Sequence, residues 1–223
     1  MLVDETGLFL SQRKLPQLTQ FKTSIQGDQL VINYKDKELS LELNCPDSLD
    51  ESITVWKDSF KARSMSSYLS QWFSEHLEKQ VRLVRYNPMT PRSRRHKSVD
   101  FTASFADGYP VLITNEHSLT ELNELLPQFV PMNRFRPNIV VNSLAAWAEL
   151  NSESIEIAGQ KSVVGKPCER CLVTTIDQDT GQIDSSEPLR TLAKLGNGRA
   201  VFGMNFALPA KLEVAVGQEI KWL

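Results

Sequence analysis

A chain of 223 residues with 41% hydrophobic and 23% charged side chains has the make-up of a globular protein, long enough to bury one large core or two small ones. Its 25 basic and 27 acidic residues leave a formal charge of -2, which argues against the broad basic face of a nucleic-acid binder. No apolar run approaches the roughly 20 residues that cross a bilayer, and Met1-Leu2-Val3-Asp4-Glu5 lacks signal-peptide character, so a cytoplasmic protein with no membrane partner is expected.

In chain order, the first half reads as short strands followed by one helix. Leu30–Tyr34 and Leu39–Leu43 flank the polar turn Lys35-Asp36-Lys37, the pattern of a β-hairpin. From about Lys61 to Glu78 the spacing changes. Met65, Tyr68, Leu69, Trp72, Phe73 and Leu77 recur every three or four residues and share one face of an amphipathic helix. The basic stretch from Arg85 to Lys97 holds Pro88 and Pro91, which predicts an irregular loop and a domain boundary near it. Val111-Leu112-Ile113 reads as a strand. Ser118-Leu119-Thr120-Glu121 has the spacing of a capping box, which would open a helix running to about Leu126.

The remainder returns to strands: Asn138–Val141, Ser154–Ile157, Ser162–Val164, Leu172–Ile176, and Leu212–Trp222 with a turn at Gly217. A short helix from Glu187 to Leu195 stops at Gly196, a favourable C-terminal glycine. Many short strands with few helices predict β-barrels in a mostly β (α+β) fold rather than a parallel sheet.

An odd count of three cysteines, two of them three positions apart, is unlike a secreted disulfide framework. The chemistry concentrates in Lys166-Pro167-Cys168-Glu169-Arg170-Cys171, where four readings compete. Structural zinc takes four ligands, yet Cys45, His76, His96 and His117 are scattered without ligand spacing, so no zinc is expected. A redox dithiol places its first cysteine at a helix N-terminus, whereas the β-branched residues after Cys171 predict a strand. Two cysteines acting as small buried hydrophobes is the plainest reading, although Arg170 and Lys166 put at least one thiol in a positive setting. The fourth is a single thiolate on a soft, redox-active metal whose other ligands come from a cofactor.

Four segments then combine: Phe105-Ala106-Asp107-Gly108-Tyr109-Pro110, Phe135-Arg136-Pro137-Asn138-Ile139-Val140, Lys166 to Cys171, and Thr174-Thr175-Ile176-Asp177-x-Asp179-Thr180-Gly181. In order and spacing they resemble the MOSC (molybdenum-cofactor sulfurase C-terminal) family. The likeness is to its YcbX-type branch, which is related to the mitochondrial amidoxime-reducing component, and it runs over nearly the whole chain. It implies an incomplete N-terminal MOSC-type β-barrel domain over residues 1–87, then a MOSC β-barrel with short peripheral helices over 88–223.

The resemblance also implies a molybdenum cofactor, a molybdopterin holding Mo, with Cys171 as the metal-ligating and catalytic thiolate. Arg136, Asn138, Glu169, Arg170 and Asn205 would bind the cofactor, and Asp107 would stand near the metal to hold water or pass a proton. The implied activity is reduction of small N-hydroxylated substrates: hydroxylamines, amidoximes and N-hydroxylated bases. No cysteine-rich iron–sulfur module follows Trp222-Leu223, so a separate electron donor, a ferredoxin or a flavoprotein reductase, is expected. The basic run Arg92 to Lys97 would dock that donor, face the cofactor, or be a solvated loop. Met1 to Gly7 resembles an internal family segment that follows Asp-Arg-x-Trp, which implies that the first barrel strands and their cofactor-binding cations are missing. From a different class, the alternative is a non-catalytic cofactor-binding or sulfur-carrier protein that uses the Cys171 thiol.

Overall fold

The structure, a computed structural model, describes the chain apart from residues 45–48, 97–98, 143–144, 153 and 209–211 and the side chains of 163–164. Cys45 and Lys97 thus lie outside the described residues. Among the described residues the architecture is mostly β with three α-helices, in two compact units: Met1–Arg92 with Ile176–Gln182, and Ser93–Thr175 with Ile183–Leu223. No helix among the described residues is long and apolar enough to cross a membrane.

In the first unit, β1 (Leu2–Val3), β5 (Asp50–Val55), β6 (Asp58–Ser64) and β7 (Arg82–Tyr86) form a sheet in the order β1-β7-β6-β5. A second sheet joins β2 (Lys22–Gln26), β3 (Gln29–Tyr34) and β4 (Lys37–Glu42). The β3–β4 pair is the expected hairpin, closed at Tyr34 and Lys37 by Lys35 in a left-handed conformation, φ 54°. Helix α1 (Ser67–Leu77) buries Leu69, Phe73 and Leu77, three of the residues picked out by spacing. They pack with Leu2, Ile32, Leu39, Val81 and Leu83 into the core of this unit. The helix begins later than its pattern suggests, because residues 58–64 are strand β6, paired on both sides with β5 and β7. Cross-strand partners outweigh local propensity there, and no local pattern reveals them.

In the second unit, β8 (Ser93–His96) and β9 (Val99–Thr102) form a hairpin where a loop is expected. Pro88 and Pro91 precede the strand and so do not interrupt its ladder. The remaining elements are β10 (Val111–Asn115), α2 (Glu116–Glu124), β11 (Ile139–Val141), β12 (Ser154–Ile157), β13 (Gln160–Glu169), α3 (Leu189–Leu195), β14 (Val201–Ala207) and β15 (Ile220–Trp222). Their sheet runs β11-β10-β14-β13-β12-β15, antiparallel except at β10–β11. Only the last three residues of the expected strand Leu212–Trp222 pair, with β12.

Strand β14 supplies two cores: Phe202 packs with Leu122, Val130, Phe135 and Leu192, while Met204 and Phe206 pack with Ile113, Val141 and Ile155. Between them Gly203 sits at φ 77°, where a Cβ would stand 2.7 Å from the Ile113 carbonyl oxygen. The close approach of β10 therefore demands glycine in mid-strand.

Helix α2 starts differently from the capping-box expectation. Its N-cap is Asn115, whose Oδ1 accepts from His117 N at 3.1 Å. Ser118 lies inside the helix, and its hydroxyl donates to the fully buried Glu149 carboxylate at 2.8 and 2.9 Å. Asn115 Nδ2 adds a third contact to Glu149 at 3.3 Å. Glu149→Ala leaves the buried Ser118 hydroxyl without its acceptor, while Asn115 Nδ2 keeps the Ala145 carbonyl at 2.9 Å, so it is expected to lower stability by about 1–3 kcal/mol in urea unfolding, with Glu149→Gln losing about 1. An unchanged midpoint in the alanine variant would show that Ser118 finds another acceptor.

Candidate functional site

Strand β13 ends at Glu169, and residues 172–175 form a 3-10 turn rather than the expected strand Leu172–Ile176. The threonines explain the difference. Thr174 donates to the Cys171 carbonyl through both N and Oγ1, each at 3.0 Å, and Thr175 Oγ1 donates to the Leu172 carbonyl at 2.8 Å. Both threonines are buried, so their hydroxyls satisfy carbonyls that a strand would have paired with a neighbour. Cys171 stands at the head of this turn, a free and half-buried thiol. The strand context after Cys171 therefore no longer argues against a redox dithiol. A different one does: Cys168 lies inside β13, away from any helix N-terminus.

Arg170 ties the segment to its surroundings. Its backbone N donates to the Ala200 carbonyl at 2.7 Å. From the guanidinium, Nη1 reaches Cys168 Sγ at 2.9 Å and Nη2 the Phe135 carbonyl at 2.6 Å, with the group 5.5 Å from the Phe135 ring. The adjacent cation thus contacts Cys168, and Arg170 Nε is buried without a hydrogen-bond partner among the described residues. Glu169 points elsewhere, pairing with Arg199 at 2.6 Å, and both side chains are largely exposed.

Arg136 follows the 3-10 turn Met132–Phe135 and is exposed, in a left-handed conformation with φ 54°. Two residues on, Asn138 brackets Leu112 of β10: its N donates to the Leu112 carbonyl at 2.9 Å, and its Oδ1 accepts from Leu112 N at 2.8 Å. Asn205 of β14 lies opposite the same Leu112, and on its other side opposite Lys166 of β13. Gly165 allows this crossing, since a Cβ there would collide with the Asn205 carbonyl oxygen. The sheet therefore places Asn138 and Asn205 on either side of Leu112, and Phe135 links the Arg136 turn to the Cys171 segment.

Asp107 is exposed in the bend between β9 and β10. Tyr109, two residues on, stacks on Phe101 with centroids 5.0 Å apart, lies 5.9 Å from His96, and has Lys166 Nζ 6.0 Å from its ring. Burial pushes the Tyr109 hydroxyl above its ordinary pKa.

Tyr109, His96 and Arg134 were not picked out as site residues from the sequence, although each lies within or beside a segment that was. Arg92 to Lys97 read in the sequence as one run that docks a donor, faces the cofactor or is a solvated loop. Arg92 is instead buried, with Nε 2.7 Å from Asp58 Oδ2, and Arg95 pairs with Asp100 at 2.7 Å across the β8–β9 hairpin. A basic run need not make a free basic surface.

A family profile described as the MOSC domain matches residues 100–221, and one described as the MOSC N-terminal beta barrel domain matches residues 1–80. The mitochondrial amidoxime-reducing component 1 of Mus musculus is 30% identical over 238 residues, covering 99% of this chain and 70% of that protein. Its Danio rerio counterpart is 31% identical, over 86% of this chain and 62% of that one. The molybdenum cofactor sulfurase of Drosophila yakuba is 30% identical over 92% of this chain, which corresponds to 26% of the sulfurase.

Proposed function

Because the chain belongs to the MOSC domain family, we propose that it is a molybdenum-cofactor-dependent reductase of N-hydroxylated compounds in which Cys171 ligates the metal. The observation that carries this reading is the presentation of Cys171: a free, half-buried thiol held at the head of a turn by two buried threonines. Relatives named for amidoxime reduction support the choice of substrate class.

The residues present fit such a cofactor. A thiolate is a soft ligand suited to molybdenum. Arg136 is an exposed residue, and the fork of a guanidinium matches a phosphate. Asn138 accepts from Leu112 N through its Oδ1, and its amide nitrogen is the kind of donor that suits a heterocycle edge. Among the described residues no group of three or more His, Cys, Asp and Glu side chains could hold a metal ion, so a metal at Cys171 would draw its other ligands from the cofactor. When bound, the cofactor supplies the two electrons of the reduction. Converting R–C(NH2)=N–OH to R–C(NH2)=NH breaks the N–O bond, consumes two electrons and two protons, and releases water. The electrons arrive from a separate donor, a ferredoxin or a flavoprotein reductase.

Chain produced in a host that makes the cofactor is expected to hold about one molybdenum per chain and to reduce an aryl amidoxime with a chemical reductant. Molybdenum-free protein from such a host would overturn the reading. Asp107, exposed in its bend, is assigned the water or the proton. Asp107→Ala should lower turnover about 100-fold at unchanged molybdenum content. Equal turnover would remove Asp107 from the mechanism.

Similarity to a molybdenum cofactor sulfurase favours a second reading, in which Cys171 carries sulfur as a persulfide. Intact-mass analysis separates the two: a gain of one sulfur atom, lost on reduction and absent in Cys171→Ala, would support the carrier.

A further inference from the structure

Two short turns in the second unit hold each other through crossed arginines. Arg134, within the turn Met132–Phe135, sends Nη1 to the carbonyl of Thr175 at 2.9 Å. Arg170, beside Cys171, sends Nη2 to the carbonyl of Phe135 at 2.6 Å. Thr175 is the last residue of the turn 172–175, and Phe135 is the last of the turn 132–135. The final carbonyls of a helical turn have no partner within it, so each turn has one satisfied by a cation from the other.

We propose that Arg134 is a positioning residue for Cys171, one half of a clamp that sets the angle at which the thiol meets the cofactor. This rests on the reading of Cys171 as the metal ligand, and it adds a residue outside those implied by the family resemblance. Arg170 is fastened independently through its backbone N to Ala200 and its Nη1 to Cys168 Sγ. Arg134 is the side chain that grips the far end of the Cys171 turn, so its loss loosens that turn while leaving both thiols and the Arg170 contacts in place. The same clamp holds the corner at Arg136, which follows directly on Phe135. One interaction thereby fixes the spacing between the thiolate and the guanidinium assigned to the cofactor.

The test compares Arg134→Met and Arg134→Lys in the full chain, with and without cofactor. The amide of Thr174, bonded to the Cys171 carbonyl, reports whether the turn is closed. Hydrogen exchange at this amide in cofactor-free protein should speed up about tenfold in Arg134→Met, the factor equivalent to one charge-assisted hydrogen bond. Arg134→Lys, which keeps one donor, should recover most of the protection. In loaded protein, molybdenum should dissociate about tenfold faster from Arg134→Met than from the parent, again with rescue by lysine. Exchange that is unchanged in the peptide spanning residues 171–176, or that rises equally across the second unit, would overturn the clamp. If the parent chain holds no molybdenum, the proposed function falls, while exchange in the cofactor-free protein still judges the clamp.

Discussion

Cys171→Ser is expected to remove molybdenum and amidoxime reduction together and to leave the fold intact. Serine differs from cysteine by one atom of similar place and smaller radius, but its oxygen stays protonated near neutrality and is a hard donor, whereas the thiolate is a soft one. Metal content should fall from about one per chain to below about a tenth, because the change removes the protein's direct bond to the metal rather than an outer contact. Stability should hold within about 0.5 kcal/mol, since the turn is closed by the backbone carbonyl of residue 171, which serine retains. Cys168→Ser is the control: its hydroxyl can still accept from Arg170 Nη1, so molybdenum and turnover should remain near the parent level. Metal retained in Cys171→Ser and lost in Cys168→Ser would transfer the ligand role to Cys168.

How much of this was legible in the sequence depended on whether an element's partners were local. The β3–β4 hairpin announced itself through its turn, and α3 through the glycine that ends it, where Gly196 N bonds the Leu192 carbonyl at 3.0 Å. Strand β14 gave no such sign. Gly203 breaks its apolar run, and the reason for a glycine there is a carbonyl on β10, ninety positions away in the sequence. The turn after Cys171 misled for a related reason: Leu172, Val173, Thr174 and Thr175 are the residues of a strand by propensity, yet the threonine hydroxyls bond carbonyls three positions back. Ser118 fitted a capping box by spacing, while its actual acceptor, Glu149, lies thirty-one residues on. In the candidate site, it was the family resemblance, rather than residue types alone, that pointed to Cys171, Arg136 and Asn138. Arg134 did not stand out, because its role is a contact with a backbone carbonyl forty-one residues away.

Phe135→Ala is expected to cost about 3–5 kcal/mol of stability, the usual loss for removing a fully buried aromatic ring. The Phe135 ring is fully buried, stacks on Phe202 with centroids 3.9 Å apart, and packs with Leu122, Val130 and Leu192. Trp147 lies edge-on to Phe202 at 5.9 Å, so its fluorescence should follow the change in urea unfolding. Phe135→Leu, which restores most of the volume, should cost about 1.5 kcal/mol or less. The same residue joins this core to the site, because its carbonyl anchors Arg170 and its ring underlies that guanidinium. A cavity beneath Phe202 would let the turn 132–135 shift, and the Arg136 corner with it. Folded Phe135→Ala protein should therefore release molybdenum faster than the leucine variant, beyond what its smaller folded fraction explains. If both variants release metal at the parent rate once corrected for folding, the ring serves the core alone, and the geometry of the Cys171 segment is set by the arginines and threonines without it.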